Sequence, residues 1–271
     1  PNNDVSIGFL ADYLESLNYE QYNSGTAQPK LNKQTCLRLP ISIPPTLAEQ
    51  QAIAEALSDA DTLIEGLESL IAKKRAIKQG TVQELLTGKR RLPGFEGEWI
   101  IAPIKRICSM KSGNSITGDQ IDDHSAYPCF GGNGLRGYTS AYTHDGVYCL
   151  IGRQGALCGN VVVARGKFFA SEHAVVVSTN NEADTNWLAY VLQRMNLNQY
   201  SESSAQPGLS VTKLLVLELY FPPTAAEQSA IATILTGMDD EIAALESKLT
   251  KARAVKQGMM QELLTGKTRL V

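Results

Sequence analysis

The residues with the clearest chemical potential lie in glycine-rich loops in the middle of the chain. Residues 131–138 read Gly-Gly-Asn-Gly-Leu-Arg-Gly-Tyr, and residues 152–155 read Gly-Arg-Gln-Gly. Arginine pairs bidentately with guanine, and asparagine and glutamine pair in the same way with adenine. Glycine allows a backbone to approach another group closely, a phosphate included. The two loops therefore favour DNA base reading, and tight hairpins without a binding role are the alternative.

Motifs of catalysis and metal binding are missing from the sequence. Gly266-Lys267-Thr268 is not a phosphate-binding loop, because the earlier glycine position is occupied by Gln261. Neither a G-x-S-x-G nor an H-E-x-x-H motif occurs, and the three histidines lack metal-ligand spacing. The five cysteines contain no C-x-x-C pair, so we predict buried reduced thiols in a cytoplasmic protein and no metal site. An enzyme with an unfamiliar active site in the glycine-rich loops stays open.

Composition limits the class of protein. The chain has 271 residues, of which 43% are hydrophobic and 20% charged, so wholesale disorder is excluded. No run of about 18 apolar residues predicts a membrane span, and no signal peptide is visible. The net charge of −3 excludes a uniformly basic surface but is compatible with a local basic cluster. The chain begins at Pro1 rather than methionine, which leaves a fragment with a lost leading segment open.

An internal repeat organises the chain. Residues 44–92 recur at 222–270, with an offset of 178 and 30 identities in 49 positions. Weaker matches continue upstream, so that residue 1 corresponds to about residue 179, whereas the region from Gly94 to about 178 has no earlier counterpart. The predicted segments are the end of one unit at 1–43, a first arm at 44–92, a complete unit at 93–222 and a second arm at 223–271.

Each arm is predicted to be one long helix of about 38 residues, roughly 57 Å. Pro-Pro-Thr-x-x-Glu, a capping-box pattern, opens the arms at Pro44 and Pro222, and Gly88 and Gly266 are predicted C-caps. Between these ends, apolar residues follow in steps of four and three, which is a heptad seam. The seam residues are Ile53, Leu57, Ala60, Ile64, Leu67 and Ile71 in the first arm, and Ile231, Leu235, Met238, Ile242, Leu245 and Leu249 in the second.

Charge along the arms favours antiparallel pairing of the two helices. Between residues 44 and 92, six of seven acidic residues precede Lys73, and all seven basic residues lie at Lys73 or later. In the second arm, five of six acidic residues precede Lys248. Antiparallel helices would set acidic halves against basic halves, whereas parallel helices would oppose like charges. A solvated surface whose polarity suits each helix dipole is the alternative explanation.

The complete unit at 93–222 is predicted to be β-rich. It holds 14 of the 22 glycines, its short apolar runs alternate with turns, and residues 186–195 resemble a short amphipathic helix. The predicted class is therefore α+β, with a β-rich domain flanked by two long helices that form an antiparallel coiled coil. The predicted strands are Val147–Ile151, Val161–Val163, Phe168–Ala170, Ala174–Val177 and Leu215–Phe221.

The motifs of the arms and loops resemble those of a known family. Pro-Pro-x-x-x-Glu-Gln-x-x-Ile-Ala opens each arm, Gln-Glu-Leu-Leu-Thr-Gly-Lys-x-Arg-Leu closes it, and Pro93-Gly94-Phe95-x-Gly97-x-Trp99 follows the first arm. These motifs closely resemble the specificity (S) subunit of Type I restriction–modification enzymes. The unit at 93–222, with its two glycine-rich loops, looks like a target recognition domain of that family.

The resemblance implies a division of labour between subunits. In that family, two target recognition domains alternate with two conserved helical regions that pair as a spacer, and each domain reads half of a bipartite target in double-stranded DNA. A similar subunit is not an enzyme and carries no cofactor: its methylation subunits use S-adenosylmethionine, and its motor–nuclease subunit uses ATP and Mg²⁺. The methylation subunits are expected to dock on the helical arms. A non-DNA coiled-coil scaffold that only assembles other subunits is the alternative.

The front of the chain departs from the family pattern. A complete first recognition domain is expected to begin where Gly94 aligns, so residues 1–43 are predicted to be only its C-terminal remnant. Three explanations stay open: a truncated chain, a fragment whose front half is another chain, and a half-subunit that forms a homodimer. Two identical copies related by a twofold axis would read a palindromic target.

The resemblance and the loop positions together give candidate DNA-binding residues. The unit at 93–222 has nine basic and eleven acidic residues, so DNA binding depends on clustering of the basic ones in three dimensions. A turn-forming or fold-stabilising role is the alternative for each candidate. Base reading is predicted for Asn133, Arg136, Arg153 and Gln154. Contact with the phosphate backbone is predicted for Tyr138, Lys111, Lys167, Gln206 and Lys213.

Overall fold

Two compact units make up the chain in a computed structural model that describes residues 4–22, 31–155, 157–201 and 208–270. Unit 1 comprises Pro1–Ala76 and Asp240–Val271, and unit 2 comprises Ile77–Asp239. Each of the two long arms contributes residues to both units. Within the described ranges, no helix is both long and apolar enough to cross a membrane.

The fold is α+β, as predicted, with two helices of 39 residues each and a set of short strands. The helices are α1 (Ile7–Ser16), α2 (Lys33–Leu37), α3 (Leu47–Leu85), α4 (Thr185–Arg194), α5 (Val211–Leu215) and α6 (Ala225–Leu263). The strands are β1 (Ile100–Pro103), β2 (Cys108–Ser112), β3 (Tyr127–Gly131), β4 (Gly134–Thr139), β5 (His144–Gly152), β6 (Val161–Ala170), β7 (Ala174–Thr179) and β8 (Glu218–Phe221).

The strands of unit 2 form two sheets. A small antiparallel sheet pairs β1 with β8, with Ile100 opposite Phe221. The six other strands lie in the order β2-β7-β5-β6-β3-β4, and every pairing among them is antiparallel except that of β3 with β6. Val175 and Val177 of β7 share a core with Trp187 of α4. The six-stranded sheet and α4 therefore form the body of the β-rich domain.

Two details of the predicted strands are wrong. Val161–Val163 and Phe168–Ala170 belong to one continuous strand, β6, because the polar residues between them still pair with β5 through the backbone. The strand predicted to begin at Leu215 begins at Glu218, because Leu215 is the last residue of α5 and Leu217 N still donates to Leu214 O at 3.2 Å. The other predicted strands and the helix α4 are confirmed.

Ion pairs show that α3 and α6 run antiparallel in each unit, as predicted. In unit 1, Arg75 lies 2.6 Å from Glu246, and Arg253 lies 2.6 Å from Glu68. Residue numbers therefore rise along one helix as they fall along the other, and the basic half of each faces the acidic half of its neighbour. The predicted seam is confirmed as well, since each of its twelve residues is buried or half-buried.

Contacts in one unit recur in the other at the offset of the sequence repeat. Lys78 pairs with Asp239 in unit 2, and their counterparts Lys256 and Asp61 pair at 2.6 Å in unit 1. The two ion pairs described above, Arg75 with Glu246 and Arg253 with Glu68, are likewise counterparts at that offset. The repeat in the sequence is therefore accompanied by a repeat of the ion pairs between the two long helices.

A glutamine near the start of each long helix fixes the helix that precedes it. In unit 2, the side-chain oxygen of Gln228 accepts from Asp184 N at 3.0 Å, and its nitrogen donates to Glu182 O at 3.1 Å. In unit 1, Gln50 accepts in the same way from Ser6 N at 2.8 Å. Thus α1 is held at the start of α3 as α4 is held at the start of α6.

The capping boxes are only half confirmed. The Thr224 hydroxyl accepts from Glu227 N at 3.3 Å, as a capping box requires. The Glu227 carboxylate does not return to the helix start but accepts from Arg91 Nε and Nη2 at 2.6 and 2.8 Å. The bidentate pair supplies two parallel hydrogen bonds between charged groups, whereas the capping bond that it replaces would supply one bond from a neutral N–H. Thr46, Glu49 and Arg269 form the same arrangement in unit 1.

Glycines end both long helices, as predicted. Gly88 and Gly266 lie just beyond α3 and α6, with φ of +70° and +72°. This left-handed conformation favours glycine and reverses the chain direction at a helix end. The turn leaves Arg91 and Arg269, three residues further on, in reach of the glutamates at the start of the other helix.

All five cysteines are free, and buried thiols are confirmed for four of them. Burial raises the pKa of Cys108 to about 12 and also raises that of Cys149, so these thiols are poor nucleophiles. Cys129 and Cys158 are buried as well. The prediction is wrong for Cys36, which is exposed on α2, a helix of five residues with no buried side chain.

Replacing Arg91 with alanine is expected to destabilise the protein by about 3 kcal/mol, because the carboxylate of Glu227 would stay buried without its cation. The side chain of Glu227 is only 1% exposed. The matched change Arg253→Ala removes an ion pair between exposed side chains and is expected to cost less than about 1 kcal/mol. Urea denaturation measures both losses, and equal losses would contradict the role given to burial.

The corresponding pair in unit 1 makes stability depend on pH. Hydrogen bonds from Arg269 hold the pKa of Glu49 below its ordinary value of 4.5. A carboxylate with a lowered folded pKa stabilises the protein above its unfolded pKa, and this contribution is lost as the pH falls through the lowered value. The difference in unfolding free energy between the wild type and Glu49→Gln should therefore shrink below about pH 4. An unchanged difference across an acid titration would contradict this prediction.

Candidate nucleic-acid interface

The two glycine-rich loops line two cavities of unit 2 that share Gln154. The first cavity, about 620 Å³, includes Asn133 and Arg136 from the β3–β4 hairpin. The second cavity, about 720 Å³, includes Lys111 from the end of β2 and Arg153 from the segment after β5. Among the described residues that line these cavities there is no aspartate or glutamate. The linings therefore combine positive charge with amide groups.

Close backbone approach brings the two loops together. A Cβ placed on Gly152 would lie 2.0 Å from Gly132 O, a distance that no side chain tolerates. A Cβ placed on Gly132 would lie 3.0 Å from Gln154 O. Only glycine at position 152 allows the β3–β4 hairpin to lie against the end of β5, so the sequence of the loops determines that their side chains share one site.

The β3–β4 hairpin presents Asn133 and Arg136. Gly132 and Asn133 form the turn between the two strands. The pairing register shifts between Cys129 and Phe130, so that Arg136 is an extra residue on β4. Such a bulge redirects a side chain relative to a regular strand. Both candidate side chains are exposed, which leaves their polar groups available to a ligand.

Backbone and side-chain bonds hold Arg153 and Gln154 in place. Arg153 N donates to His173 O at 2.8 Å, and Leu209 N donates to Arg153 O at 2.9 Å. The Arg153 guanidinium donates to Ser112 Oγ at 3.1 Å, and Gln154 Oε1 lies 3.1 Å from His173 Nδ1. A fixed backbone reduces the entropy lost when such side chains bind a ligand.

Two lysines add positive charge near the second cavity. Lys111 lines this cavity, and Lys213 follows Thr212, which lines it from α5. Both lysines are exposed. Lys111 and Arg153 line the cavity from two separate segments of the chain, so it is the fold that brings these two basic residues together.

Among the described candidates for phosphate contact, Tyr138, Lys167 and Lys213 line neither cavity. Tyr138 exchanges backbone hydrogen bonds with Asp122 at 2.7 and 2.9 Å and lines neither cavity. Lys167 lies on β6 with its Nζ 4.8 Å from the ring centre of Tyr142, and it also lines neither cavity. Gln206 lies outside the described residues.

Three polar lining residues are not among the predicted DNA-binding residues. His173 lines the first cavity, and Ser112 and Thr212 line the second. The polar run at 171–173 was a usable signal for His173. Ser112 carries no local signal, because its place depends on the pairing of β2 with β7, opposite Val175.

Two titratable groups outside the cavities have pKa values that are shifted by hydrogen bonds or by burial. The Ser125 hydroxyl and the backbone N–H groups of His124 and Ser125 hold the pKa of Asp122 below its usual range. Burial lowers the pKa of His144, whose ring stacks on Phe168 at 5.3 Å. In the described part of the chain, no group of three or more His, Cys, Asp or Glu residues is arranged to hold a metal ion. The described lining residues therefore offer hydrogen bonds and positive charge.

Comparison with known proteins identifies the class. The family model of the Type I restriction modification DNA specificity domain matches residues 1–74 and 96–252, and the chain belongs to this family. The resemblance predicted from the arm and loop motifs is thus confirmed.

The chain is also similar to individual proteins and to a solved structure. The chain is 47% identical over 154 residues to the Type I restriction enzyme EcoprrI specificity subunit of Escherichia coli, a match that covers 55% of this chain and 37% of that relative. The crystal structure of the Type I restriction–modification system S subunit from M. genitalium shares the fold, with a TM-score of 0.76 at 17% identity over 96% of this chain and 73% of that chain. The chain thus spans little more than a third of its Escherichia coli relative.

The change Gly152→Ala is expected to destabilise the domain by about 1–3 kcal/mol, because the new methyl group must displace the backbone of the β3–β4 hairpin. Gly118→Ala is a matched control, since a Cβ there meets nothing within 4 Å, and its effect should stay within about 0.5 kcal/mol. Thermal unfolding measures both variants. A loss no larger for Gly152→Ala than for Gly118→Ala would contradict the close approach of the two loops.

Proposed function

We propose that this chain recognises a DNA sequence within a Type I restriction–modification complex, and that the domain at 93–222 reads half of the target. The observation that carries the proposal is the pair of cavities lined by arginine, lysine and amide side chains with no carboxylate among the described lining residues. The same domain has more acidic than basic residues in total. Segregation of positive charge at the glycine-rich loops therefore supports DNA binding at that place.

The chemistry of each side chain suggests its role. Arg136 and Arg153 are suited to guanine, which offers O6 and N7 as adjacent acceptors in the major groove. Asn133 and Gln154 are suited to adenine, which offers N7 and its N6 amino group. Contacts with the phosphate backbone then fix the register of the protein on the duplex. The residues proposed for these contacts are Lys111, Lys213, Tyr138, Lys167 and Gln206.

The partners are proposed from the family. Methylation subunits with S-adenosylmethionine, and a motor–nuclease subunit with ATP and Mg²⁺, would supply the catalysis, and this chain itself would be non-catalytic. A solved structure described as showing complex assembly and conformational transition of the Type I R-M system shares the fold, with a TM-score of 0.52 at 16% identity over 96% of this chain and 68% of that chain. The long helices α3 and α6 are the proposed docking elements for the methylation subunits.

Residues 1–43 are proposed to be the end of a first recognition domain. The bonds of Gln50 to the segment before α1 match those of Gln228 to the segment before α4, which supports this correspondence. The alternative function, a coiled-coil scaffold that does not touch DNA, gives no reason for the charge segregation in the cavities.

Truncating Arg136 or Arg153 to alanine is expected to relax specificity at one base pair, with a loss of about 1–3 kcal/mol of discrimination. Selection from a degenerate duplex library by the assembled methylation complex, at constant salt, measures the preference. Arg165→Ala is the matched control, because this exposed arginine bonds to Asn186 and lines neither cavity. Unchanged preference in both cavity variants would contradict the assignment of these arginines.

Co-expression with a cognate methylation subunit, followed by mapping of adenine methylation across a host genome, tests the function itself. Two identical inverted halves in the methylated motif would support a homodimer in which the domain at 93–222 reads both. If the complex binds DNA but does not methylate it, the result would indicate that methylation requires a complete first recognition domain, which this chain lacks. An assembled complex without salt-dependent duplex binding would contradict DNA recognition and favour the scaffold.

A further inference from the structure

Unit 2 holds the indole of Trp99 in a specific site at the end of α3. The ring lies 3.2–3.4 Å from the position of a Cβ on Gly88, and its centre lies 5.1 Å from that of Tyr220. Trp99 Nε1 donates to Glu227 Oε1 at 3.4 Å, and the guanidinium of Arg91 lies 5.8 Å from the ring centre. The indole therefore packs against Gly88 and lies next to the ion pair of Arg91 with Glu227.

Hydrogen bonds also fix the backbone that precedes Trp99. The guanidinium of Arg91 donates to Gly97 O at 2.8 Å and to Glu96 O at 3.5 Å. Directly after Trp99, β1 pairs with β8, and Phe221 of β8 is 2% exposed. One segment therefore supplies a ring to the site and a strand to the sheet.

Unit 1 has a cleft of about 140 Å³ at the corresponding place. It is lined among others by Glu49, Gly266 and Arg269, together with Ser42 and Ile43. At the offset of 178, each of these five residues is the counterpart of one that contacts Trp99 or belongs to β8. A cavity of about 150 Å³ is known to hold benzene, so the cleft has room for an aromatic ring.

No described residue takes the place of Trp99 in this cleft. A Cβ placed on Gly266 meets nothing within 4 Å, in contrast to its counterpart Gly88. The side chain of Arg269 is 55% exposed, whereas that of Arg91 is 27% exposed. Ile43 is 43% exposed, and residues 40–43, the counterparts of β8, pair with no described strand.

We infer that this cleft is a docking site for a tryptophan-bearing extended segment of the pattern Gly-x-Trp followed by apolar residues. The indole fills the space over Gly266 and donates to Glu49, and Arg269 binds the carbonyls that precede the tryptophan. The residues after the tryptophan add a strand to 40–43 through backbone bonds, a common mode of peptide recognition. The inference rests on the comparison of the two units and does not depend on DNA recognition.

The occupant is a partner segment rather than Trp99 of a second copy. Trp99 is only 7% exposed, and its segment is already bound in its own unit 2 through Arg91, Glu227 and β8. Insertion into another copy would require these contacts to be broken first. A segment of similar local sequence that is not so engaged fits the cleft without that loss.

A synthetic peptide with the sequence of residues 93–103, labelled at its N-terminus, tests the site in trans. Fluorescence anisotropy with the full chain should show saturable binding, and a peptide with the tryptophan replaced by alanine should bind at least about tenfold more weakly. Absence of saturable binding, or equal affinity of the two peptides, would overturn the inference.

A pair of glycine variants locates the peptide. Gly266→Asn places a side chain in the cleft at a φ of +72°, which asparagine tolerates, and should weaken binding at least about tenfold. Gly94→Asn makes the same change at a φ of +86° in open space and should leave the affinity unchanged. Thermal unfolding verifies that both variants fold. Binding that persists in Gly266→Asn would mean exchange with Trp99 in unit 2 and would overturn the inference.

Two further readouts identify the strand and the occupant. Hydrogen exchange at the amides of Ile41 and Ile43 should slow when the peptide binds, whereas the Ser42 N–H already donates to the Tyr13 hydroxyl at 3.2 Å. Unchanged exchange at Ile41 and Ile43 would overturn strand addition. Light scattering should show that the peptide leaves the oligomeric state of the chain unchanged. A dimer that the peptide dissociates would assign the cleft to a second copy and overturn the choice of occupant.

Discussion

A buried carboxylate that receives a bidentate arginine at the start of each long helix is the contact on which the surrounding structure depends. In unit 2, Glu227 accepts from Arg91, and the glycine turn after α3 is what brings that arginine back to it. The same arginine then holds the backbone before Trp99, from which β1 continues into its pairing with β8. Removing one member of such a pair strands a buried charge, so the helix start, the helix end and the first strand of the domain are energetically linked.

The candidate interface depends on a different constraint, the absence of side chains where two loops meet. Because Gly152 has no Cβ, the β3–β4 hairpin can lie against the segment that carries Arg153 and Gln154. Positive charge accumulates there although the domain as a whole has an excess of acidic residues. Electrostatic attraction to a polyanion depends on local potential rather than on net charge, so the overall composition says little about this site.

Both buried and exposed ion pairs of the long helices recur at the offset of the internal repeat. The glutamate–arginine and glutamine contacts at the helix starts recur in both units. Tyr190, which donates to Asp239 at 2.7 Å in unit 2, has Asp12 as its counterpart in unit 1. Burial raises the pKa of Asp12, and neighbouring Lys256 opposes the effect. The two units therefore share the contacts of the long helices and differ in the residues that pack against them. The cleft near Gly266 is a second such difference.

The sequence alone determined the family, the two long helices, their antiparallel pairing and most strands, because these depend on periodicity, charge order and motifs that are local in the chain. It also singled out Asn133, Arg136, Arg153 and Gln154 as candidates, because they lie in glycine-rich loops that are recognisable in the sequence. Only the tertiary structure decided which candidates share a cavity: Lys111 lines one with Arg153, whereas Tyr138 and Lys167 line neither cavity. It likewise decided that the capping glutamates bind arginines more than a hundred residues away. Such outcomes depend on strand pairing and on chain reversal over long separations, which no local pattern records.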